Sequence, residues 1–282
     1  MPACLFTFDE NKQIMKKIFL AAGCFLLTVI SVEAQQSQGV VSYDRTSKIQ
    51  FSFQGMPGGM EQQMPSTRTD KFELTFGNNQ SLWKQAEQDN EEDASFSSEN
   101  GAHIRMVVAG SNDVLFTDIE KGKKVEKREL FEKTFIIDDT ISKLKWKMTG
   151  ETKTILGKPC MKATTTTIRT RTMMNMDNGK MERKEIQDTS NIVAWFTSGI
   201  PVSAGPVEYQ GQLPGLILEM DIKDGTQTFL ATAISEKADL AIIKEPTGKK
   251  RYTAEEFKKE REKMMKEMEQ NNQGGQRIIR MN

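Results

Sequence analysis

Alternation of apolar and polar residues at a period of two constrains this chain more than any other feature. In Lys48-Ile49-Gln50-Phe51-Ser52-Phe53 every second side chain is apolar, so an extended backbone carries the apolar groups on one face and the polar ones on the other. Lys71-Phe72-Glu73-Leu74-Thr75-Phe76 repeats the pattern. Asp113 to Ile119, Phe135-Ile136-Ile137, Lys143 to Met148, Asn191 to Phe196, Leu216 to Ile222 and Thr226 to Ile234 are further runs of strand length. Lys162 to Thr172 is rich in threonine, whose branched Cβ suits a half-exposed strand. Turn formers separate the runs at Gly77-Asn78-Asn79, Gly101, Gly110-Ser111-Asn112, Gly122, Gly157-Lys158-Pro159 and Asp224-Gly225. No helical pattern lies between them, which excludes βαβ units. The expectation is a mainly β fold over residues 35–250: a single curved antiparallel sheet or partial barrel with one hydrophobic face.

One helix is expected, over residues 251–270. Thr253-Ala254-Glu255-Glu256 has the spacing of a capping box, and Glu255/Lys259 and Glu262/Lys266 are favourable pairs one turn apart. Its apolar stripe (Phe257, Met264, Met265 and Met268) is narrow and broken by Arg261, so the helix reads as a charged arm docked at Phe257. The Asn, Gln and Gly residues of 271–282 read as a disordered tail.

The N-terminus reads as a targeting segment. Met15-Lys16-Lys17 is a basic start, Ile18 to Val32 is mainly apolar, and Val32-Glu33-Ala34 sets small residues where signal peptidase cuts. Residues 1–34 are therefore expected to leave, with 1–14 an extension upstream of a start at Met15. The apolar stretch is shorter than the ~20 residues a spanning helix needs. A lipidation site at Cys24 is the alternative, but Cys24 follows Lys17 too closely for a normal apolar region. The mature protein is expected in the periplasm, associated with the outer membrane or secreted.

Cleavage at Ala34 removes Cys4 and Cys24 and leaves Cys160 alone, so no internal disulfide can form and the core must hold the fold. Thiol or serine chemistry would have to use the one histidine, His103, which has no motif around it. Lys+Arg 39 balances Asp+Glu 39, so the chain has no basic field for nucleic acid. Catalysis is not expected.

Methionine is abundant, at 17 residues. Met56, Met60 and Met64 recur every four residues, yet Pro57, Gly58 and Gly59 oppose a helix, so they read as a loop. Met173, Met174, Met176 and Met181 cluster at what reads as a hairpin tip. Thioether sulfur is soft and prefers Cu(I) or Ag(I), which makes a soft-metal protein the alternative function; adaptable apolar surface is the plainer role. The acidic stretch Gln85 to Asn100 lacks the spacing of a calcium loop and reads as solvated.

Residues 191–220 hold the most specific pattern: a strand ending at Trp195-Phe196, a connection punctuated by Pro201, Gly205, Pro206, Gly211, Pro214 and Gly215, and a second strand from Leu216. Pro214-Gly215 is a turn pair in which glycine would accept positive φ. Trp195 and Tyr209 bring apolar bodies with polar handles to this place, as at the edge of a groove. Ala194-Trp195-Phe196-Thr197, Ile200 to Pro206 and Leu213-Pro214-Gly215-Leu216-Ile217-Leu218-Glu219 resemble the GLPGLI family of exported Bacteroidetes-type envelope proteins. Leu156 to Cys160, Lys162-Ala163-Thr164, Lys244 to Lys249 and Tyr252 to Phe257 are similar to it as well. Gln212 departs from the family pattern, standing where the first glycine of the motif belongs, with Gly211 displaced by one. The resemblance implies secretion and a β-rich fold and implies no activity. The expected function is non-enzymatic binding of a hydrophobic ligand, lipoprotein or partner protein, with Trp195, Phe196, Tyr209, Leu213, Pro214 and Gly215 at the site.

Overall fold

The structure, a computed structural model, describes residues 36–48, 67–86, 95–97, 103–105, 112–131, 133–177 and 180–272; at 95–97, 103–105, 171–177, 180–185 and 268–272 only the backbone is described. The reading of residues 1–35, of the alternation at Ile49 to Phe53, of Met56, Met60 and Met64, of most of the acidic stretch after Ala86, of the turns at Gly101 and Gly110-Ser111, and of the tail beyond 272 falls outside these residues.

Fourteen strands are described: β1 Gly39–Lys48, β2 Thr67–Gly77, β3 Gln80–Gln85, β4 Ser95–Ser97, β5 His103–Arg105, β6 Val114–Asp118, β7 Lys123–Leu130, β8 Lys133–Thr140, β9 Lys147–Ile155, β10 Lys158–Asp177, β11 Lys180–Thr197, β12 Leu216–Ile222, β13 Gln227–Ser235 and β14 Arg251–Thr253. Twelve form one open sheet in the order β14-β8-β7-β6-β3-β2-β1-β13-β12-β11-β10-β9, and β4 and β5 pair separately. Neighbours are antiparallel except β14, which adds parallel to β8. Turns set the register: Asn78 and Asn79 have φ of 52° and 58°, the paired positive values of a tight hairpin whose twist matches its strands.

The sheet is strongly curved. From β8 to β10 is nine strand steps, roughly 43 Å if flat at ~4.8 Å per step. Yet Asp139 of β8 and Arg169 of β10 line one cavity of about 500 Å³. Inside the curve Val41, Tyr43, Leu74, Phe76, Ile192, Ala194, Met220 and Phe229 form the main core. Residues 198–215 fold back over it. Ile200, Ala204, Tyr209 and Leu213 complete the cluster, and the amides of Leu216 and Ile217 donate to the carbonyls of Ile200 and Ala204 at 3.1 and 3.0 Å. Tyr43, fully buried, donates its hydroxyl to the Ile217 carbonyl at 2.5 Å.

One helix, α1 (Ala254–Asn272), follows β14. The capping box forms: the Glu256 amide donates to Thr253 Oγ1 at 3.2 Å and the Thr253 amide to Glu256 Oε2 at 2.8 Å. Phe257 and Met264 are buried against Leu130, Phe135 and Ile137.

Two details differ from the sequence reading. The sheet has apolar groups on both faces at its β3–β8 end, where Leu82, Phe116, Val125 and Ile136 pack on the outer side with Ile243 of the segment after β13. Continuous runs such as Phe135-Ile136-Ile137 signal that two-sided burial. The strand expected over Lys143 to Met148 begins only at Lys147, because residues 142–144 are held by the Gln212 side chain of the inner loop rather than by a ladder. The Leu144 amide donates to Gln212 Oε1 at 3.0 Å, and Gln212 Nε2 donates to the Ser142 carbonyl at 2.9 Å.

Candidate functional site

A trough lies on the inner face between α1 and the 198–215 loop. Strand alternation builds its floor: Phe72 of β2, Trp83 and Gln85 of β3, Leu115 of β6, Glu126 and Arg128 of β7 and Ile137 of β8 point to one side, while their neighbours point to the other. Ala254 and Phe257 of α1 form one wall; Arg169, Val207 and Glu208 form the opposite one. Val207 has φ of 40°, a left-handed conformation unusual for a β-branched residue and costing about 1–3 kcal/mol. Its place in the wall is consistent with strain concentrating at functional positions.

The floor is rigid. The Phe72 and Trp83 rings are stacked at 5.0 Å and 9°, Tyr43 and Phe229 pack against Trp83 at 5.4 and 6.0 Å, and the Arg45 guanidinium covers Phe72 at 4.5 Å. With its ring faces taken, this cluster supports the floor rather than offering a stacking platform.

The charged side chains are tied in groups. Asp70, 3 % exposed, accepts from Arg45 and Arg68 at 2.7 Å each. Arg128 Nε donates to Glu126 Oε1 at 3.0 Å and lies 3.7 Å from Asp113 Oδ2, while Asp113 Oδ1 accepts the Glu129 amide at 2.8 Å. Lys124 pairs with Asp139 at 3.0 Å and Arg169 with Glu208 at 2.6 Å. Burial pushes the Asp113 and Glu126 carboxyls above their ordinary values despite Arg128, and the Asp113 charge raises Glu126 further.

The residues expected at the site do not line this trough. Phe196 (0 % exposed), Leu213 (2 %) and Tyr209 (3 %) are core, and burial pushes the Tyr209 hydroxyl up to about 12. Gly215 is buried and Pro214 exposed. Alternation sets Trp195 on the face opposite Ala194, beside Lys162 and Glu219, with the Lys153 ammonium 4.3 Å from its ring. Trp195 and Tyr209 therefore border no common groove. Gly215 does not take positive φ; its role is close approach, since a Cβ there would meet the Thr197 carbonyl oxygen at 2.2 Å. Gly211 takes the left-handed position instead (φ 73°), which frees Gln212 to make its two bonds.

Burial pushes the Cys160 thiol up, the reverse of what a nucleophile needs. Met173, Met174, Met176 and Met181 fall on the β10–β11 hairpin, with Met176 in register with Met181; their side chains are outside the description. Among the described residues no group of three or more His, Cys, Asp or Glu is placed to hold a metal ion, and no helix is long and apolar enough to cross a membrane.

A family model described as "Protein of unknown function (Porph_ging)" matches residues 146–219, from the residue before β9 into β12. That family is associated with Bacteroidetes. No curated protein matches. Among solved structures the chain is similar to one described as "Structure of PNGF-II in C2 space group", at 18 % identity and a TM-score of 0.46, over 79 % of this chain and 32 % of that one. The chain thus spans about a third of that protein's length.

Proposed function

We propose that the protein is an exported, non-enzymatic envelope protein of the GLPGLI type that holds a polypeptide ligand in the inner-face trough. The observation that carries this reading is the trough's composition: a fixed apolar floor of Phe72, Trp83, Leu115 and Ile137 between walls of paired ions. An acyl chain laid against Arg45, Lys124, Glu126, Arg128 and Asp139 would strip them of water without replacing those hydrogen bonds. A polypeptide brings donors and acceptors at every residue together with apolar side chains, and it suits both surfaces. Engagement of the wall carboxylates by Arg128, Lys124 and Arg169 supports recognition over proton transfer. Export and removal of residues 1–34 rest on the three-part N-terminal pattern.

The test is native mass spectrometry of protein purified from its own envelope, beside a Leu115→Trp variant that fills the trough floor. A peptide-bearing adduct on the wild type that the variant loses is the expected result. An adduct retained equally by the variant, or no adduct on the wild type, counts against the reading.

A further inference from the structure

Two charge groups of the trough, one at Arg45 and one at Asp113 and Glu126, carry opposite surplus charge. At one end two guanidinium groups, Arg45 and Arg68, share the single carboxylate of Asp70. At the other, two carboxylates, Asp113 and Glu126, share the single guanidinium of Arg128. The remaining wall ions, Lys124 with Asp139 and Arg169 with Glu208, cancel in pairs. Among the described residues each end thus lacks one partner charge, positive at Asp113/Glu126 and negative at Arg45/Arg68. Arg45 also keeps a buried Nε–H with no acceptor among the described residues, the kind of donor that buried sites rarely leave unmatched.

The spacing of the two ends sets the ligand's length. The Arg45 guanidinium stands over Phe72 of β2. Asp113 immediately precedes β6, which is separated from β2 only by β3. Two strand steps place the ends roughly 10 Å apart at ~4.8 Å per step. An extended peptide advances about 3.3–3.6 Å per residue, so three residues bridge that distance.

We infer that the trough selects a short extended peptide of about three residues, its cationic group held between Asp113 and Glu126 and its anionic group by Arg45. The inference deepens the trough reading and rests on it. It names the chemistry, a peptide zwitterion of fixed span, where that reading requires only a polypeptide. The charges are complementary end to end, which fixes the direction in which the segment lies as well as its register.

Calorimetric titration of the chain with trialanine, N-acetyl-trialanine and trialanine amide tests it. Free trialanine is expected to bind at least about tenfold more tightly than either capped form, since each cap deletes one charge-assisted contact. Glu126→Gln, which preserves shape, should erase the penalty of acetylation and leave that of amidation. Arg45→Lys should keep part of the penalty of amidation, and Arg45→Gln should erase it. Equal binding of all three peptides overturns the inference, as does binding of trialanine by Leu115→Trp at wild-type strength. If none of the three binds while the wild type still carries an adduct that Leu115→Trp loses, the dipolar selection falls and the trough reading stands.

Discussion

The Gly215→Ala substitution tests how tightly the inner loop is fastened to the sheet. Gly215 sits where the loop rejoins β12, against the end of β11. An added Cβ would lie 2.2 Å from the Thr197 carbonyl oxygen, 2.8 Å from its carbon and 3.2 Å from Phe196 Cδ2. Cβ contacts below 3.0 Å essentially do not occur, so the backbones must part by at least the 0.8 Å between 2.2 and 3.0 Å. The obstacle is main chain, which no rotamer change can move. Thr197 is fully buried and pairs with Leu216, and Leu216 and Ile217 carry the amides that hold the loop to Ile200 and Ala204. Overpacking of this kind costs about 1–3 kcal/mol, and the backbone obstacle places Gly215→Ala near the top, at about 2–3. At about 2–4 °C per kcal/mol for a domain of this size, the melting temperature should fall by about 4–12 °C. Calorimetry or urea titration reads it, with Pro214→Ala, at an exposed neighbour, changing stability by less than about 1 kcal/mol. A Gly215→Ala protein that melts within about 1 °C of the wild type would refute the close-approach argument.

Three further outcomes are expected. Gln212→Gly restores the family's glycine yet should destabilise by about 1–2 kcal/mol and speed amide exchange at Leu144, because it deletes the bonds to Ser142 and Leu144; unchanged stability and exchange would contradict the clamp. Cys160, fully buried and with its thiol pushed up, should react with thiol reagents no faster than the chain unfolds, and rapid native labelling would show that the core is open there. The Glu126 carboxyl is raised by burial, so its ionised form weakens the fold at neutral pH, and that cost vanishes as pH falls through the raised value to below the unfolded one. Glu126→Gln should therefore gain stability relative to wild type at pH 7, by less than about 1 kcal/mol for a partly exposed group, and the gain should shrink in acid; a gain that grows in acid would reverse the assignment.

The sequence carries a direct signal wherever the structure is local. The alternation around Lys71 to Phe76, the Asn78-Asn79 turn and the Thr253–Glu256 box each follow from residues a few positions apart. The trough was not legible, because its floor draws one or two residues from each of several strands that the order β8-β7-β6-β3-β2 brings together from distant sequence. Its charged members read singly as solvated faces, and β7 is so rich in Lys, Arg and Glu that it did not stand out as a strand. The Trp195–Tyr209 pairing failed for a related reason. Composition shows that both are large and amphipathic, but only the parity of β11 and the path of the loop decide which face each occupies. The role of Gln212 is not legible locally either, because its side chain bonds residues about 70 positions away, at Ser142 and Leu144.

Hydrogen exchange measured on the protein with and without added trialanine tests the central claim most directly. The account predicts added protection in β2, β3, β6 and β7 where they floor the trough, and at Val207 and Glu208 in its wall, with β9 unchanged. Protection centred instead on Lys153, Lys162 and Trp195, on the outer face, would place binding on the other side of the sheet and contradict it.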